Sequence, residues 1–251
     1  MFSPETRRAL RERLVERARH DPGVAGAAFV GSAATGREDS WSDIDLALQV
    51  SRGHDPAQIA ADWTTWLRRE AEVADTLDVV GAGTLFRVFL LADSLQIDLS
   101  FWPFDAFRAT QDGFTVLFGS PNEPTTSPPL DAEHHVGMGW LYALHARSAL
   151  ARDKLWQTAM MLDGVRDQIV MLACARYGLD PHHGRDVDSL PSWELTALAA
   201  ARATSLDPAE LERSKAAMVT LLLAEVERHD ATLAQRLALP LSIIRAVKAE
   251  G

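Results

Sequence analysis

Two aspartates stand two residues apart in Ser42-Asp43-Ile44-Asp45-Leu46. A third, Asp98, interrupts the apolar run Leu95-Gln96-Ile97-Asp98-Leu99-Ser100-Phe101. Side chains of a β-strand alternate between faces, so Asp43 and Asp45 share one face while Ile44 and Leu46 take the other. Aspartate is depleted in strands and neighbouring like charges repel, so such a pair is poor structural design without a cation between the carboxylates. The plainer reading, a loop cap that starts a strand, does not account for two on one face. Oxygen-only ligands suit Mg²⁺, which takes one or two carboxylates and completes its shell with water and substrate phosphates. If the strand of Asp98 lies beside that of Asp43 and Asp45, the three form one cluster. Such a cluster can bridge two Mg²⁺ ions roughly 3.5–4 Å apart, and Asp98 can accept the proton of an attacking hydroxyl.

Just upstream lies Gly31-Ser32-Ala33-Ala34-Thr35-Gly36. A strand that ends in Gly-Ser turns tightly, and the backbone N–H groups and hydroxyl of such a turn can hold phosphate oxygens. A phosphate grip and paired metal carboxylates are together the minimum apparatus for moving a nucleotidyl group.

The elements that must position these residues follow from periodicity. Leu10, Leu14, Val15 and Ala18 recur at helical spacing in an Arg/Glu-rich segment, an amphipathic helix capped near Ser3-Pro4. Asp21-Pro22-Gly23 breaks it, and residues 24–30 read as a buried strand ending at Gly31-Ser32. Residues 33–42 read as a small, polar loop and 44–50 as a second strand. Asp55 is the expected N-cap of a helix over 56–74, with Ile59, Trp63, Trp66 and Leu67 on its apolar face. Residues 77–80, 85–91 and 95–101 read as three more strands, the last two joined as a hairpin through Asp93-Ser94.

Pro121, Pro124, Pro128 and Pro129, with Asn, Thr and Ser between them, mark a linker. Beyond it the pattern is helical over 132–151, 156–177, 191–203 and 208–237, with Gly178 as a stop and Asp207-Pro208 as a start. The expectation is an α+β chain: residues 1–120 as a mixed twisted sheet with flanking helices, 121–130 as linker, and 131–251 as an all-α helical bundle.

Composition narrows the partners. Hydrophobic residues make up 47% and charged residues 24% of 251, ordinary for a globular protein, and the longest apolar runs are far too short to cross a bilayer. The charged N-terminus lacks the apolar core and cleavage site of a signal peptide. A single cysteine, Cys174, excludes an internal disulfide framework, so a reducing cytoplasm is the expected location. Cys174 itself sits in an apolar stretch and reads as a packing thiol. The net charge of −10 argues against nucleic acid as a partner and suits steering of a small cationic ligand, although acidity also serves solubility. Residues 1–130 hold 12 Lys and Arg against 19 Asp and Glu, and residues 131–251 hold 13 against 16, so the excess acid gathers in the half with the aspartates.

Gly31-Ser32, a gap, then Ser42-Asp43-Ile44-Asp45-Leu46 resembles the signature of the DNA polymerase β-type nucleotidyltransferase superfamily. The variant from Gly31 to Gly36, followed by an all-helical second half, most resembles bacterial aminoglycoside adenylyltransferases of the streptomycin/spectinomycin kind. The motif itself spans residues 31–46 only. The resemblance implies that Gly31, Ser32 and Ser42 belong to the nucleotide site, with Ser32 on the β/γ-phosphates of ATP. It implies Mg²⁺ on Asp43 and Asp45, with Asp98 at the third-carboxylate position. In related antibiotic adenylyltransferases the general base is often a Glu, so whether Asp98 is base, metal ligand or both stays open. Many minimal relatives carry an Arg shortly after the Gly-Ser. Ala33, Ala34 and Thr35 stand there in this chain, and Arg37 is the candidate substitute.

In the second half, the resemblance places Lys154 and Arg166 near the triphosphate and acidic residues near a cationic acceptor. Against this stands an ordinary solvated helix face, since Asp163, Arg166 and Asp167 have the spacing of a helical ion pair. His182-His183 and His134-His135 lack other ligands at zinc spacing, and Arg185 is a further phosphate-contact candidate. The leading expectation is Mg²⁺-dependent transfer of AMP from ATP to a hydroxyl of a small, cationic, aminoglycoside-like acceptor by a monomer or homodimer. The alternatives are nucleotidyl transfer to a protein, as in toxin–antitoxin systems, and nucleotide binding without catalysis. Arg176 and His182 have the Arg-x5-His spacing of a helical nuclease family associated with such systems, a short pattern that chance supplies easily.

Overall fold

The Ser3 hydroxyl accepts the Thr6 N–H at 3.1 Å and Pro4 fits the first helical turn, so helix α1 runs over Pro4–His20. In this computed structural model, residues 2–110, 113–125 and 129–246 are described. The chain divides into two compact units, Met1–Pro128 and Pro129–Gly251.

In the first unit, α1 is followed by β1 (Val24–Val30), α2 (Gly31–Thr35), β2 (Ile44–Val50), α3 (Pro56–Glu70), β3 (Val73–Gly81), β4 (Thr84–Leu91), β5 (Gln96–Trp102) and β6 (Phe114–Phe118). The six strands form one sheet in the order β3-β4-β5-β2-β1-β6. β2 and β5 run parallel and the other neighbours antiparallel, so the sheet is mixed. Helices α1 and α3 cover one face: Leu10, Leu14 and Ala18 together with Ile59, Trp63 and Leu67 meet Ile44, Leu46 and Leu48 of β2 and Ile97, Leu99 and Phe101 of β5. Fully burying each large apolar side chain there contributes about 1.5–3 kcal/mol. Trp63 is buried with its indole N–H donating to Asp21 at 2.9 Å, so no polar group is lost to that core. Alternation then turns Asp45 and Asp98 to the opposite face, where Ala28, Ala47 and Phe107 make a smaller apolar cluster.

The second unit comprises α4 (Ala132–Leu150), α5 (Leu155–Tyr177), α6 (Ser192–Ala201), α7 (Pro208–His229) and α8 (Ala231–Arg245), with short 3-10 turns at His182–Gly184 and Val187–Ser189. Val136, Val165, Ile169, Leu172, Met218, Leu222 and Ile244 lie in its core. The chain is therefore α+β, a mixed sheet with helices followed by a helical bundle. No helix among the described residues is long and apolar enough to cross a membrane.

The structure corrects the expected elements at several points. Residues 31–35, expected as a Gly31-Ser32 turn and the start of a loop from residue 33, form a helical turn that Gly36 ends with φ 67°. The helix expected to reach residue 74 stops at Glu70, because Val73 already begins strand β3. β6 was not expected at all. The long helix over 208–237 is two: Asp230 leaves helical backbone at φ −152°, and its carboxylate accepts the N–H groups of Thr232 and Leu233 to start α8. α8 then continues through Pro240, at the cost of one backbone hydrogen bond.

Candidate active site

The pairing of β1 with β2 and of β2 with β5 builds the site. Phe29 opposes Leu46 across the antiparallel pair, so the chain leaving β1 at Gly31 arrives beside Asp45. Asp45 stands directly opposite Asp98 across the parallel pair, and Asp43 immediately precedes β2. Asp43, Asp45 and Asp98 are each half-buried, and one carboxylate oxygen of each lies within 4.8 Å of the others. The Gly31 backbone has φ 63°, and a Cβ there would fall 2.4 Å from Asp45 Oδ2. Both the left-handed conformation and the close approach demand glycine. Ser32 Oγ is shut off from solvent and has no hydrogen-bond partner among the described residues. A buried hydroxyl left in this way costs free energy that a ligand's oxygen would repay.

Electrostatics mark the cluster as well. Burial pushes the Asp98 pKa up, the Gln96 amide that donates to it at 3.1 Å opposes this, and the charge of Asp43 adds to the rise. An all-oxygen set of carboxylates whose charges disfavour one another fits a hard divalent cation. Asp43, Asp45 and Asp98 are thus brought together, with Gly31 against Asp45 and Ser32 next to it in the chain.

Ser42 serves the loop that leads into the site. Its hydroxyl donates to Asp39 Oδ1 at 3.0 Å and accepts the Asp39 N–H at 2.9 Å. Arg37 is exposed, and its Nε donates to the Thr35 hydroxyl at 3.2 Å. Lys154 is exposed at the N-cap of α5. Arg166, on α5, donates to Asp163 at 2.6 Å and to Asp167 at 2.7 Å. Arg185 is exposed and 3.5 Å from Asp180, which also holds His182 at 2.7 Å. Arg176 is committed to the buried Glu194 and Glu225. Sequence reasoning overlooked Arg7 and Asp39, which secure the loop before Asp43. The available signal was the place of Arg7 on the buried stripe of α1, in step with Leu10, Leu14 and Ala18.

Among solved structures, the chain is similar to an aminoglycoside 6-adenyltransferase from Bacillus subtilis, with 11% identity over 98% of this chain and 100% of the other and a TM-score of 0.42. It is also similar to the polymerase core of TRAMP, an RNA surveillance complex, with 14% identity over 89% of this chain and 56% of that one and a TM-score of 0.31. No described protein family and no curated protein matches the sequence. At these scores neither likeness carries an activity over, and the chemistry has to be read from the residues themselves.

Proposed function

We propose that the chain is a nucleotidyltransferase that moves AMP from ATP to a hydroxyl of a small cationic acceptor of the aminoglycoside type. The observation that carries this is the convergence of three carboxylates on a Gly-Ser turn whose serine hydroxyl is buried without a partner. Asp43, Asp45 and Asp98 would hold Mg²⁺, which when bound neutralises phosphate charge and lowers the barrier to in-line displacement. Ser32 and the backbone of its turn take the terminal phosphates. The acceptor oxygen forms a bond to the α-phosphorus as the bond to the bridging oxygen breaks and pyrophosphate leaves. The hydroxyl proton passes to a carboxylate of the cluster, with Asp98 as the proposed acceptor. The acidic balance of residues 1–130 supports a cationic acceptor.

Incubation with labelled ATP, Mg²⁺ and a panel of aminoglycosides should label a small molecule. Label on polypeptide alone would move the acceptor to a protein. ATP binding with no label on any acceptor would reduce the chain to a nucleotide-binding module and sink the proposal.

A further inference from the structure

The peptide that leads into Asp43 is held from outside the sheet by one buried guanidinium. Arg7 lies on the apolar stripe of α1 and is only 6% exposed. Its Nη1 donates to the carbonyl of Asp39 at 2.6 Å and to that of Ser42 at 2.9 Å. Its Nε faces Glu38 at 3.6 Å, and Arg11 bridges the same glutamate at 2.5 Å. The loop is closed on itself too: Asp39 Oδ1 accepts the Trp41 N–H at 2.9 Å as well as the Ser42 hydroxyl. The Ser42 carbonyl belongs to the same planar peptide as the Asp43 N–H and Cα, so holding the carbonyl holds the point from which the Asp43 side chain departs. A buried guanidinium is costly unless it is satisfied, and Arg7 meets that cost by gripping this loop.

We infer that Arg7 is a positioning residue for Asp43, setting the geometry in which the three carboxylates meet a divalent cation without itself touching substrate. The inference rests on the proposed metal role of Asp43, Asp45 and Asp98. Lysine would supply the charge without the planar fork that reaches two carbonyls and a carboxylate at once.

Mn²⁺ binding to the full chain, followed by electron paramagnetic resonance, separates the two ideas. Wild type should bind and Asp45→Asn should not; equal binding by both, or none by either, removes the metal site itself. Given a wild-type site, Arg7→Lys should fold, because Leu10, Leu14 and Ala18 still anchor α1. It should bind Mn²⁺ about 10- to 100-fold more weakly, with activity recovering at high metal concentration. Arg13→Gln, on the same helix as Arg7 and paired with Glu70 of α3, should leave the affinity unchanged. An Arg7→Lys protein that melts earlier yet binds Mn²⁺ as wild type does would overturn the positioning role. Should Arg7→Lys fail to fold, Asp39 supplies the test. Asp39→Ala removes the acceptor that closes the loop, whereas Asp39→Asn keeps an acceptor and removes only charge. Weaker binding in the alanine variant alone supports the inference, and equal effects in the two variants overturn it.

Discussion

Glu194 on α6 and Glu225 on α7 are buried in the second unit, as Asp43, Asp45 and Asp98 are half-buried in the first. In the helical unit, Arg176 donates to both glutamates, reaching Glu225 at 3.0 Å, and Arg228 donates to Glu225 as well. Burial works against the Arg176 charge, but its bonds to the two glutamates outweigh burial and raise its pKa. In the sheet unit, what acts on Asp98 is burial, an amide from Gln96 and the like charge of Asp43, and the sum disfavours the ionised form. The contrast separates two uses of buried acid. Where the sequence encodes its own counter-ions, carboxylates join helices; where three carboxylates converge, they could hold a cation from outside.

The sharpest way to break this contrast is to neutralise one acid in each cluster. Asp43→Asn or Asp45→Asn should reduce nucleotidyl transfer to background, as read by labelled ATP, while the metal-free stability of Asp43→Asn stays level or rises because its repulsion of Asp98 is relieved. Glu225→Gln should do the opposite, sparing the sheet unit's carboxylates but costing about 3–5 kcal/mol in chemical denaturation, since two arginines lose a buried partner. A silent Glu225→Gln would show that its arginines are not needed as counter-ions. Mg²⁺ at 100 times its dissociation constant should stabilise the wild type by about 2.7 kcal/mol and leave Asp45→Asn unmoved.

A smaller effect tests how closely the turn must approach the acids. Gly31→Ala forces a side chain into left-handed backbone, worth about 1–2 kcal/mol, and also drives a methyl against Asp45 Oδ2. Gly53→Ala carries the same kind of strain at φ 82° with nothing within 4 Å. Gly31→Ala should therefore lose at least as much stability as Gly53→Ala, and only Gly31→Ala should lose transfer activity. Matching activities in the two variants would detach the turn from the site.

Much of this was legible because it is local. Alternation in Ser42-Asp43-Ile44-Asp45-Leu46 put both acids on one face, and Asp93-Ser94 marked the turn between β4 and β5, where Ser94 indeed has φ 72°. Harder to read was anything decided by partners distant in sequence. Phe114–Phe118 is too short to announce itself, and it becomes a strand because β1 offers an open edge. The break at Asp230 hides inside a continuous apolar period, because a capping aspartate resembles any polar residue on a helix face. Arg7 was hidden for the reverse reason. An arginine among leucines reads as an exposed member of an amphipathic helix until the loop it grips is in place.

The gentlest test uses pH and stays within the first unit. Asp78 is gripped by Arg87 through two bonds, at 2.6 and 2.5 Å, and this hydrogen bonding holds its pKa below the ordinary aspartate value. Its contribution to stability is therefore present above the unfolded value, near pH 4, and disappears only as pH falls through the lowered folded value. Asp98 runs the other way. Its folded pKa is raised, so its ionised form costs stability at neutral pH, and that cost is relieved as pH falls through the raised value towards pH 4. In Mg²⁺-free buffer, melting curves should show Asp98→Asn most advantageous near pH 7, the advantage fading on acidification. Asp78→Asn should show a deficit that persists down to about pH 4 and closes only below it. Added Mg²⁺ should erase the Asp98→Asn advantage and leave the Asp78→Asn deficit alone. An Asp98→Asn difference that ignores both pH and Mg²⁺ would mean that Asp98, like Glu225, already has its counter-charge within the chain.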